Sequence, residues 1–82
     1  MSDTYLSRIA INPAVMVGKP VIRGTRIPVD LLVRMVAQGI LYSEILAEYP
    51  GLQVEDIQAA LFYAAATVSH EQIFPLLQPE LV

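Results

Sequence analysis

Prolines and glycines cut this chain so often that helical periodicity survives in only three windows. Pro13, Pro20, Pro28, Pro50, Pro75 and Pro79 alternate with Gly18, Gly24, Gly39 and Gly51 along 82 residues. Proline lacks the backbone donor and clashes with the preceding turn, and glycine loses more entropy than any other residue on joining a helix. Both therefore mark ends rather than interiors. The windows run from about Pro28 to Gln38, from Ser43 to Tyr49 and from Val54 to about Ser69. The first third reads instead as a β-hairpin or arm. Arg8 to Asn12 alternates, with Ile9 and Ile11 on one face, and Val21-Ile22-Arg23 is a second β-prone run. Asn12-Pro13, Gly18-Lys19-Pro20 and Gly24-Thr25 supply the turns.

Each window has its own pattern. In the first, Leu32, Met35, Val36 and Ile40 form an i, i+3, i+4, i+8 stripe. Asp30 lies in its first turn, four residues before Arg34, and Gly39 stands where a helix ends in a left-handed residue. The second sets Ile45, Leu46 and Tyr49 against Glu44 and Glu48, and Pro50-Gly51 closes it. The third places Ile57, Leu61, Ala64, Ala65 and Val68 at helical spacing, with Glu55 and Asp56 in its first turn. Phe62, Tyr63 and Ala66 lie off that stripe, so this helix is apolar around most of its circumference and is expected to be buried on two sides, the second by another chain. The fold expected is mainly α: a three-helix, helix-turn-helix domain over residues 1–70 with a short N-terminal β-hairpin or arm. Residues 71–82 form an apolar, Pro-containing C-terminal tail that carries Phe74, Leu76 and Leu77.

Composition narrows the possible functions. Hydrophobic residues make up 55% of the chain and charged ones only 16%, against roughly 25% charged in an average soluble domain. A domain this small cannot enclose so much apolar surface, so a homodimer or an apolar contact with a partner is expected. With no cysteine, disulfides and thiolate metal sites are ruled out. The start of the chain does not read as a secretory signal and no stretch reads as a membrane span, so the location expected is cytoplasmic. Net charge is −3 but polarised. Arg8, Lys19, Arg23, Arg26 and Arg34 precede residue 41 with only Asp3 and Asp30 against them, leaving +3. Six acids and no Lys or Arg follow, leaving −6.

No catalytic machinery is legible. His70 is the one histidine and stands near a helix end, as a cap or surface residue would. No serine sits in a G-x-S-x-G elbow. Gly18-Lys19 is not a phosphate loop, because positions 13 and 20 are both proline. Neither an enzyme nor a cofactor or metal site is expected. Three helices with a short turn between the last two fit a DNA reader. Yet Glu55 and Asp56 occupy the start of the third helix, the end that normally enters the groove. If DNA is touched at all, the basic arm is the better candidate for the contact, mainly as part of a complex.

Gly18 to Val29 is the unusual segment, where two glycines and two prolines fix a tight path ringed by Lys19, Arg23 and Arg26. Such turns can aim backbone N–H groups and guanidinium groups at one anion. On physics alone, a well-specified turn whose arginines pair with Asp30 or glutamates is an equal reading. The candidate partner- or anion-binding set is Lys19, Arg23, Gly24, Thr25, Arg26 and Arg34. Candidate partner- or dimer-contact residues are Phe62, Tyr63, Phe74, Leu76 and Leu77.

Gly18 to Val29, with Ile9 to Pro13 before it, resembles the signature of the prokaryotic family known as domain of unknown function 433. So do Glu44-Ile45-Leu46 with Tyr49-Pro50, and Glu55-Asp56-Ile57 with Ala59-Ala60-Leu61 and Tyr63-Ala64. The resemblance spans about Arg8 to Ala66. It implies a homeodomain-like or winged-helix-like trihelical domain and the role of antitoxin beside a PIN-like ribonuclease toxin. A DNA-binding regulator and a dimerising scaffold are the alternatives. Where the family pattern places Ser or Thr before the second and third helices, this chain has Leu41 and Gln53. Each lost cap is expected to cost about 1 kcal/mol.

Overall fold

The computed structural model describes residues 5–14 and 18–70, the last by its backbone alone. The tail, with Phe74, Leu76 and Leu77, lies outside the described residues. The architecture is the one the punctuation predicts: a two-stranded antiparallel hairpin followed by three helices. Strand β1 is Ile9–Ile11 and β2 is Pro20–Ile22, paired Ile9 to Ile22, Ala10 to Val21 and Ile11 to Pro20. Pro20 is tolerated because it opens its strand. Helices follow as α1, Val29–Ala37, α2, Tyr42–Glu48, and α3, Val54–His70.

The turn between β2 and α1 is closed by Thr25. Its N–H and its hydroxyl both donate to the Ile22 carbonyl, at 3.0 and 2.7 Å, and its Oγ1 accepts the Ile27 N–H at 3.0 Å. The Ile22 N–H donates to the Ile27 carbonyl, and Val21 bridges to Pro28. Gly24 takes φ +79° in this turn, a value that an L side chain rarely adopts. At the far end of α1, Gly39 (φ +85°) donates to the Val36 carbonyl and Ile40 to the Met35 carbonyl. These two bonds form the Schellman closure expected of a glycine just past a helix.

One core joins every element. Leu32, Ile45 and Ile57, one from each helix, are completely buried, and Ile22, Val29, Leu52 and Ala60 complete the cluster. Among the described elements α1 lies chiefly against α3. Met35, Val36 and Ile40 pack against the cluster as the α1 stripe requires, as do Leu46 and Tyr49 beside α2.

Two expectations need correction. The buried face of α3 runs through Asp56, Ile57, Ala59 and Ala60, whereas Ala65 and Val68 are exposed. The core ends before α3 does, so helical spacing alone overextended the stripe. Ile11 is likewise exposed although it shares a face with half-buried Ile9, because β1 reaches past the core at that end.

The missing N-caps are partly replaced from within the helices. Glu44 Oε1 accepts the Leu41 N–H at 3.0 Å, and Asp56 Oδ2 accepts the Gln53 N–H at 2.9 Å. In both cases the third helical residue reaches back to the residue before the helix. This is half of a capping box, made by the carboxylate when no hydroxyl faces it.

Candidate functional site

The sequence-selected cations separate into two groups in the fold. Lys19 Nζ and Arg34 Nη2 each lie 3.6 Å from Asp30 Oδ2, so a single exposed carboxylate holds both. The Asp30–Arg34 pair is the one that the helical spacing predicts. Pairs this exposed contribute little to stability, but they partly neutralise the two cations.

Arg23 and Arg26 differ. Both are exposed on the β2–α1 turn, and among the described residues neither guanidinium has an ion pair or hydrogen bond. Arg26 lines a surface depression of about 450 Å³ with Asn12, Gly24, Thr25, Ala10 and Val21. Among the described residues no carboxylate lines it. Asn12 Oδ1 is occupied by the Ala14 N–H at 2.9 Å, leaving the amide donors to face outward chemistry. Thr25 has a different role from the one its position suggested, since its hydroxyl proton is committed to Ile22. The depression therefore offers the Arg26 guanidinium and the Asn12 amide as side-chain donors, which suit a carboxylate or another oxyanion.

Arg8, which sequence reasoning counted only as charge, is a principal connector. Its Nη1 donates to Asp56 Oδ1 at 2.9 Å and to Gln53 Oε1 at 3.2 Å, and its carbonyl accepts the Arg23 N–H at 2.8 Å. The ion pair ties the hairpin to the start of α3 across 48 residues of sequence. Asp56 is only 7% exposed. It is thus occupied at both oxygens, and Glu55 is the acid left exposed at that end of α3.

The candidate contact residues on α3 stand apart from the basic turn. Phe62 is 53% exposed and stacks on Tyr5, with ring centroids 4.5 Å apart, while Tyr63 is half-buried against the core. Among the described residues no group of three or more histidines, aspartates and glutamates could hold a metal ion, and no helix is long and apolar enough to cross a membrane.

Comparison with known proteins follows the same outline. The family model for a protein of unknown function, DUF433, matches residues 9–64, from β1 through the core-forming part of α3. A crystal structure of a DUF433 member from Anabaena variabilis is similar over 82% of this chain and 66% of its own, with a TM-score of 0.72 and 42% identity. Uncharacterized protein y4eO of Sinorhizobium fredii is 38% identical over 58 residues, 71% of this chain. The chain spans only about a quarter (26%) of that relative's length. An uncharacterized protein of Archaeoglobus fulgidus is 60% identical over 30 residues, 37% of this chain and 83% of its own length.

Proposed function

This chain belongs to the DUF433 family of proteins of unknown function, and from that premise we propose that it is a non-enzymatic binding protein, the antitoxin of a PIN-like ribonuclease in the cytoplasm. One observation carries the proposal: Arg23 and Arg26 project from a hydrogen-bonded turn and have no anionic partner among the described residues, in a chain whose net charge is −3. A ribonuclease of that type gathers carboxylates around its metal ions, and such a cluster attracts cations. Guanidinium groups match carboxylates with two parallel hydrogen bonds and stay charged at any working pH. The turn supports them, since the Thr25 bonds and the Ile22–Ile27 bond hold its backbone.

The test uses purified full-length chain and the PIN-like ribonuclease that co-purifies with it from the native host. Arg23→Ala/Arg26→Ala is expected to weaken inhibition of RNA cleavage by tenfold or more, on the order of 1.4 kcal/mol. Its circular dichroism should be unaltered, because both side chains are exposed. Undiminished inhibition by the double variant would remove these residues from the mechanism, and the absence of any co-purifying nuclease would remove the antitoxin reading.

A second reading, a DNA-binding regulator, draws on the same exposed cations. Glu55 at the start of α3 weighs against it for the lone chain, since carboxylates there repel phosphate. Tight sequence-specific gel shifts by the lone chain, with a steep salt dependence, would favour it over the first.

A further inference from the structure

Ala10 and Val21 face each other across the hairpin, so their side chains lie on the same side of it. Side chains alternate along an extended chain, and Asn12, two residues beyond Ala10, joins them there. The β2–α1 turn brings Gly24, Thr25 and Arg26 to the same place, where these residues line the depression of about 450 Å³. Its floor is apolar, because Val21 is buried and Ala10 half-buried. Its rim is polar, with Asn12, Gly24 and Arg26 exposed. The Asn12 carboxamide is oriented by its own backbone. Its Oδ1 accepts the Ala14 N–H at 2.9 Å, the short-range bond with which Asn closes a turn. The acceptor end is thereby occupied, and the Nδ2 amide, a two-proton donor, has no partner among the described residues. Arg26 is in the same state, whereas Arg23 is not among the residues that line the depression.

We infer that Asn12 and Arg26 together form the seat for one carboxylate, the acidic side chain of an extended segment of a protein partner. Charge and lining decide the chemical class. Arg26 brings a single positive charge and Asn12 a neutral donor, while Lys19 and Arg34 are held by Asp30. A nucleic acid strand carries a charge at every phosphate and rewards a row of cations. This depression holds one. The floor of Ala10 and Val21 suits the methylene groups that carry an Asp or Glu carboxylate. The inference rests on the reading of this chain as a binding protein, and it adds a contact residue, Asn12, and a difference between the two arginines. Arg26 binds in the depression, and Arg23 attracts from outside it.

The test titrates the full-length chain, without any nuclease, with the capped peptide acetyl-Val-Asp-Val-Asp-Val-amide. Nuclear magnetic resonance follows the Asn12 side-chain amide and the Arg26 Nε–H. Saturable shifts at both groups are expected, and none from the same peptide with Asn in place of Asp. Asn12→Asp keeps the turn, because an Asp oxygen accepts the Ala14 N–H as Asn does, but it replaces the free donor with a like charge. It is expected to weaken binding by about tenfold or more with the urea midpoint unchanged. Ala14→Asp puts the same charge on an exposed neighbour outside the lining and is expected to cost only about twofold. Arg26→Ala is expected to lose more affinity than Arg23→Ala. Equal losses from Asn12→Asp and Ala14→Asp, equal losses from the two arginine variants, or displacement of the peptide by a short single-stranded DNA at matched ionic strength would each overturn the inference. Inhibition of a co-purifying nuclease by a chain that does not take up the peptide would overturn it and leave the antitoxin reading standing. Uptake of the peptide by a chain with no such nuclease would do the reverse.

Discussion

Arg8 holds the hairpin to the far helix through one nitrogen, shared between Asp56 and Gln53. Without it the Asp56 carboxylate stays almost buried and keeps only the Gln53 N–H. A buried acceptor that loses a partner is destabilised by roughly 1–3 kcal/mol. Arg8→Ala is therefore expected to lower the urea midpoint by a corresponding amount, and an unchanged midpoint would show the pair to be energetically silent. Arg23 and Arg26 contrast with it: both are exposed and unpaired among the described residues, so their loss should spare stability and affect binding. Nothing in the sequence separates these three arginines. Arg8 and Asp56 are 48 residues apart, and no local pattern reports a pairing over that distance.

The elements follow their punctuation closely, and their departures have local causes. Gly39 ends α1 as its position predicts, because only a residue at ease with positive φ can make the two closing bonds. The starts of α2 and α3 lack a capping hydroxyl, and Glu44 and Asp56 supply half of the box instead. Leu41 is 62% exposed, and its side chain offers no acceptor to the first turn of α2. Leu41→Ser supplies the missing half, so thermal unfolding should show a gain of about 0.5–1 kcal/mol. A loss would mean that the exposed leucine makes a contact worth more than a cap. For α3 the periodic stripe was legible but its end was not: spacing continues through Ala65 and Val68, while the core that would cover them stops near Ala60.

At the scale of the molecule, the described residues share a single cluster containing Ile22, Leu32, Ile45 and Ile57, and none of the described elements has a core of its own. Unfolding is then expected to be one cooperative transition. Ile57→Ala should remove about 2–4 kcal/mol, and native-state hydrogen exchange can show where it is lost. The Ile22 amide, bonded to the Ile27 carbonyl in the β2–α1 turn, should lose protection by the same amount as the core helical amides. An Ile22 amide that keeps its protection would show that this turn is independently stable. The charge polarity read from the sequence also takes spatial form. Among the described residues the cations cluster around the hairpin and α1, the exposed acids line α2 and the start of α3, and the distal half of α3 carries no charge of its own.

The sequence by itself determined where the chain can and cannot be helical, because proline and glycine act through their own backbone bonds. It likewise determined the order of the elements and the residues on the inner faces of α1 and α2, since periodicity is a local property. Only the tertiary structure decided which cations are neutralised, because pairing depends on which elements lie side by side. That is why Arg34 and Lys19 meet Asp30, Arg8 meets Asp56, and Arg23 and Arg26 remain unpaired among the described residues. It also decided where the core stops along α3, because burial ends where the neighbouring elements end, and no residue in the helix records the length of its neighbours.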